Sequence, residues 1–184
     1  MVMLAALGCA APEAEAQESA AAQLAGILGR RRAATLEAGF RQTKHIALLK
    51  EPLVSEGRVL FALPDGLRWE VVTPEPLVVD TRGGRLRTGP PGDLHEVPDA
   101  LLGPFATLPG GFSGVFGASG DEIAAAFEVS PRGPPGAFEL TPKDEDLGRA
   151  LRSIDLEIDP ETGVPRRVVL HEAGGDRSEI EILR

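Results

Sequence analysis

The sequence predicts an α+β fold: a strongly curved antiparallel sheet with helices covering its concave face. Three observations predict it. Short apolar-polar alternating runs recur at about ten-residue spacing, punctuated by turn formers. The last three of these runs are cleanly one-faced, with one apolar and one wet side. The runs that do not alternate look helical, and they lie at the start and in the middle of the chain. A one-faced sheet must cover its apolar side, by closing into a barrel or by receiving helices.

The chain begins with a short apolar run, Met1 to Gly8, followed by Cys9, the single cysteine among 184 residues. The run is too short to span a bilayer and reads as the hydrophobic part of an export signal. Two processing readings stand. "ALGC" is similar to a lipobox, which would leave Cys9 as a lipidated first residue. "AEA" before Gln17 is similar to a signal-peptidase site, which would release a soluble chain. The expected organisation is therefore an export signal over 1–17 and a single domain over 18–184. A lone cysteine leaves no partner for an internal disulfide.

Glu18 to Ala38 is Ala-rich, with Leu24, Ile27, Leu28 and Leu36 loosely at helical spacing, and is expected to be one amphipathic helix. Gly26 and Gly29 weaken it, and Arg30 to Arg32 read as its solvated face. Five strand-like runs follow: "FRQTKHIALL", "SEGRVLFAL", "LRWEVV", "PLVVDT" and "RLRT". Because strand neighbours point to opposite faces, Val59, Phe61 and Leu63 go to one side, and Leu67, Trp69 and Val71 likewise. Arg68 and Glu70 point the other way.

The middle breaks the alternation. "DLHEVPDALLGPF" and "SGDEIAAAFEV" are expected to be helices joined by a Gly-rich connection. Ser119 is the expected N-cap of the second, with Asp121 and Glu122 in its first turn, and Ile123 and Phe127 share a face. Strands then resume. "AFELTP" pairs Phe138 with Leu140, and "SIDLEID" sets Ile154, Leu156 and Ile158 against Asp155, Glu157 and Asp159. "VPRRVVLHE" and "RSEIEIL" complete about ten strands and three helices.

The formal charge of −9 excludes a nucleic-acid binder, which needs a basic face to displace counterions. His45, His95 and His171 lack a second ligand at i+3 or i+4, so no metal is expected. "GGFSG" and "GASGD" lack the spacing of a nucleophile elbow, and neither ends as a P-loop does. Asp155/Glu157 and Asp144 to Asp146 read as solvated strand faces or turns. No catalytic constellation emerges, and the expectation is a non-enzyme without cofactors.

Taken as an ordered series, "FRQTKHIALLKEPLVSEGRVLFALPDGLRWEVVTPEPLVVDTRGGRL" resembles the outer-membrane lipoprotein carrier (LolA-like) family. The resemblance lies in Phe40-x-Gln42, the Gly57 strand ending at Pro64, Arg68-Trp69-Glu70, Pro74 and Gly83/Gly84. "FELTPKDED" and the Gly-rich final hairpin extend it to Leu183. It implies an unclosed half-barrel with a helical lid over an apolar cavity, in a monomeric carrier of the Gram-negative periplasm.

Such a carrier is a chaperone for acylated lipoproteins, taking them from an inner-membrane releasing transporter to an outer-membrane acceptor. The resemblance implies a cavity lined by Phe40, Val59, Phe61, Leu63, Leu67, Trp69, Val71, Leu77 and Val79, faced by Ile123 and Phe127. One departure stands out. Where well-known members carry a lid-latching Arg before the strand-ending proline, this chain has Leu63. A membrane-tethered lipoprotein receptor anchored through Cys9 and an envelope-stress sensor are the alternatives on the same fold.

Overall fold

The structure, a computed structural model, describes residues 12–31, 35–62, 66–83, 85–98 and 119–183. The chain enters through helix α1 (Pro12–Leu28) and turns into strands β1 (Thr35–His45), β2 (Leu53–Ala62), β3 (Gly66–Thr73), β4 (Leu77–Asp80), β5 (Arg87–Gly89) and β6 (His95–Glu96). A second helix, α2 (Gly120–Ala126), leads into β7 (Phe127–Pro131) and β8 (Ala137–Pro142). A third, α3 (Glu145–Ala150), precedes β9 (Leu151–Ile158), β10 (Pro165–Glu172) and β11 (Arg177–Leu183).

All these strands form one eleven-stranded sheet in the order β6-β5-β4-β3-β2-β1-β11-β10-β9-β8-β7. Every pairing is antiparallel. The sheet is thus two meanders, joined where the first strand pairs with the last. It is unclosed: β6 and β7 stand at opposite edges. Each strand adds its own right-handed twist, and an open sheet of about ten strands or more curls rather than staying flat.

The register aligns the apolar positions into continuous rows. Trp69 lies opposite both Val59 and Val79, and Phe61 opposite both Leu36 and Leu67. In the C-terminal half, Leu156 lies opposite Val168 and Phe138, and Ile154 opposite Leu170 and Leu140. Slipping any strand by one residue would turn its apolar set to water, which is why the register is strongly specified. α1 packs against β7 and α2. Its buried Ala20, Leu24, Ile27 and Leu28 form a stripe at helical spacing that joins the same apolar cluster as the sheet.

Several element boundaries differ from expectation. The first helix ends at Leu28 rather than Ala38, and Thr35 to Ala38 open β1. Leu36 sits at helical spacing by coincidence; its partner Phe61 in the ladder decides its conformation. The expected helix over "DLHEVPDALLGPF" is corrected where it is described: His95 and Glu96 pair with Thr88 and Arg87 as a short edge strand. Residues 99–105 of that helix lie outside the described residues, as do Cys9 and Leu63.

The expected helix at "SGDEIAAAFEV" stops at Ala126, and Phe127 begins β7. Its start is as expected. Ser119 accepts from the Glu122 amide at 3.3 Å, and the Glu122 carboxylate accepts from the Ser119 amide at 2.7 Å, a reciprocal capping box. Asp144 to Asp146 are not a plain turn. Asp144 caps α3 by accepting from the Leu147 amide at 2.8 Å, and Leu147 is buried.

Candidate functional site: the apolar face and its helices

Most residues expected to line a cavity lie on the apolar face and are buried. Phe40, Val59, Phe61, Leu67, Trp69, Ile123 and Phe127 belong to one cluster, with Val71 and Val79 partly buried against it. Phe127 reaches it from the first position of β7, not from a helix turn shared with Ile123. Leu77 is the exception. It is 42% exposed, because β4 begins there, at the rim beyond the packed core. The buried valine of that strand is Val78, which faces the opposite side of the sheet.

The cluster centres on an aromatic stack that a glycine makes possible. Phe40 lies opposite Gly57 in the ladder, and its ring stacks on Trp69 with centroids 3.7 Å apart and planes inclined by 27°. A Cβ at Gly57 would fall 1.8 Å from the Glu70 carbonyl oxygen and 2.9 Å from the Phe40 ring. The Phe40, Gly57 and Trp69 positions of the sequence resemblance are therefore one packing unit. Trp69 itself is only 5% exposed.

Sequence reasoning did not name as lining residues Ala20, Leu24, Phe138, Leu140, Ile154, Leu156, Val168 and Ile180, all of which join the same cluster. The signal was present for the strand residues, since their alternation is clean. What it lacked was the pairing of β1 with β11, which merges the two halves into one face.

Among the described residues, α1 and α2 meet each other closely and carry polar ties to the sheet's turns, Lys143 Nζ donating to the Ala124 carbonyl of α2 at 2.7 Å. Gly120 at the start of α2 meets α1 so closely that a Cβ would lie 2.2 Å from both the Cα and Cβ of Ala25. At the end of α1, Arg30 Nη1 donates to the Pro160 carbonyl at 2.8 Å, and Arg31 Nε donates to the Gly163 carbonyl at 3.0 Å. Burial pulls the Arg31 guanidinium pKa below its ordinary value. The expected solvated helix face at Arg30 and Arg31 is thus a tie between α1 and the β9–β10 turn.

The other side of the sheet is charged. Arg68 points there, as alternation requires, and its Nε donates to Glu70 at 2.6 Å and its Nη1 to Asp80 at 3.2 Å. Arg82 binds the same Asp80 through its amide, Nε and Nη2, the last at 2.7 Å, and Arg58 binds Glu70 at 2.8 Å. Asp80 is 1% exposed. Burial alone would raise its pKa, but the bonds from Arg82 and Arg68 outweigh it and hold the carboxyl down at about 2.

Across the seam, Arg167 joins Glu157 and Glu179, while His171 pairs with Asp155 at 2.9 Å. Asp159, expected on a wet face, is buried. It accepts from the amides of Glu161 and Thr162 and pairs with Arg166 at 2.6 Å. Guanidiniums hold most of these carboxylates and organise the outer face, and Asp155, beside His171, also receives Arg132. His95 lies exposed beside Asp93, and His45 is exposed at the end of β1.

No family model matches the chain, and no curated protein matches it. Solved structures do. MucB from Pseudomonas aeruginosa, in complex with MucA, is 14% identical over 90% of this chain and 56% of its own, with a TM-score of 0.52. MucB alone is 13% identical over 91% of this chain and 58% of its own, at 0.51. A LolA superfamily protein from Nitrosomonas europaea is 12% identical over 90% of this chain and 93% of its own, at 0.47. This chain spans little more than half the length of MucB. At such identities the likeness is one of fold.

Proposed function

We propose that this chain is a non-enzymatic periplasmic carrier that shields lipoprotein acyl chains and delivers them toward the outer membrane. On this reading the apolar interior between sheet and helices is the binding site, and α1 with α2 is its lid. One observation carries it. The apolar face runs without a break through both meanders, and α1 and α2 pack on it through Ala20, Leu24, Ile27, Leu28 and Ile123, with a close glycine contact, two arginine-to-carbonyl bonds and the Lys143 bond to the Ala124 carbonyl at their margins. Burying a methylene is worth about 0.8 kcal/mol, so an acylated anchor needs such shelter in water, and an empty shelter needs a cover. Arg30 and Arg31, just after α1, would supply the latch that Leu63 cannot.

The test is capture of a diacylated lipopeptide by the purified chain. Binding is expected for the acylated peptide and not for its unacylated form, and Arg68→Ala is expected to retain it because Arg68 faces away. Trp69→Asp is expected to abolish it. Gly120→Ala, which must push α1 off α2, is expected to speed uptake, an outcome that mere unfolding would not produce. Equal capture of both peptides would overturn the reading.

A second reading rests on the fold shared with MucB, whose structure was solved with MucA. Here the chain, free or tethered through a lipidated Cys9, binds a protein partner as an envelope-stress sensor. The mass of the mature chain from its host separates tethered from free forms. A diacylated N-terminus at Cys9 would exclude the free carrier.

A further inference from the structure

One rim of the sheet carries an apolar tip that no other described residue covers. Leu48 is 94% exposed at the apex of the β1–β2 turn, with Leu49, Leu53 and Val54 beside it; Val72 and Leu77 flank the neighbouring β3–β4 turn. Ladder positions place the two groups together: Leu53 and Val54 pair with Lys44 and Thr43, Glu56 pairs with Thr73, and Val71 with Leu77. Single exposed leucines are ordinary on a soluble surface, whereas a cluster at one rim is not.

The tip is held out rather than left loose. The Leu49 amide donates to the Ile46 carbonyl at 2.9 Å, and the Ala47 amide donates to Asp176 of the β10–β11 turn at 2.9 Å. Its apolar groups occupy both faces of the sheet. Leu53 and Leu77 lie on the face of Phe40 and Val71, and Val54 and Val72 on the other. A tip apolar on both faces and at its apex suits immersion in a medium. Charge offers no help there, since Lys50 is followed by Glu51, Lys44 is paired with Glu172 at 3.2 Å, and the chain carries −9 overall.

We propose that this rim inserts into the interfacial region of a lipid bilayer, driven by apolar burial and not by anionic headgroups. The proposal does not depend on what the interior holds.

The full chain carrying Cys9→Ser, so that no acyl anchor contributes, is mixed with vesicles of phosphatidylcholine, alone or with phosphatidylglycerol. Co-sedimentation is expected with both and no more strongly with the anionic vesicles. Leu48→Ser is expected to lower the partition coefficient about tenfold, with an unchanged circular dichroism spectrum because the side chain packs on nothing. Leu48→Trp is expected to show a blue-shifted emission on adding vesicles. Three results would each overturn the proposal: no sedimentation with either vesicle, binding to anionic vesicles alone, or equal binding by Leu48→Ser.

Discussion

Trp69 and Arg68 are adjacent in sequence and belong to different environments. Trp69 packs under Phe40 on the apolar face, and Arg68 bridges two carboxylates on the charged one. Each residue can be probed separately. Gly57→Ala is expected to cost about 3 kcal/mol in urea unfolding, because its Cβ meets the Glu70 carbonyl backbone, which cannot swing aside. Asp80 sets an acid limit. Its folded pKa is about 2 against an ordinary 3.8, so it contributes about 2 kcal/mol at neutral pH. Because the folded value is the lower one, that stability is complete above about pH 4 and is lost as pH falls toward 2. Asp80→Asn should flatten this part of the stability-pH profile and lower stability at neutral pH, leaving the Arg82 guanidinium without its carboxylate and Arg68 with Glu70 alone. A variant with an unaltered acid limb would show that the acid limit lies elsewhere.

The elements differ in how they are held. α2 is capped by the reciprocal Ser119–Glu122 bonds, and Ser119→Ala is expected to cost about 1 kcal/mol in thermal unfolding. α1 depends on its neighbours, through Gly120 and through the carbonyls that receive Arg30 and Arg31. Replacing both arginines by alanine is expected to raise binding of a hydrophobic dye and amide exchange in α1 while the sheet stays protected. Uniform loss of protection would show that α1 and the sheet open together. Element boundaries were the least legible feature of the sequence. Leu36 and Phe127 each fit a helical spacing, and each is drawn into a strand by ladder partners, Phe61 and Pro142, that are distant in sequence. Local propensity is worth tenths of a kcal/mol per residue, less than burying either side chain in a paired strand.

At the scale of the molecule, the seam between β1 and β11 makes one sheet of two meanders. Ile180 of β11 is fully buried, although it lies close to the C-terminus. Ile180→Ala is expected to lower stability by about 3 kcal/mol in a single cooperative transition. A biphasic curve would mean that the halves unfold independently. The sequence by itself determined which face is apolar in the strands that alternate cleanly, β2, β3 and β8 to β11, because alternation is a property of neighbours. It also determined how α2 is capped, whereas the turn after β1 begins at Ile46, inside the expected run "FRQTKHIALL". Only the tertiary structure decided that the two apolar faces are one, that Leu77 lies at the rim, and that Asp80 and Asp159 are buried among arginines. Those outcomes depend on contacts between residues far apart in the chain, which local pattern does not encode.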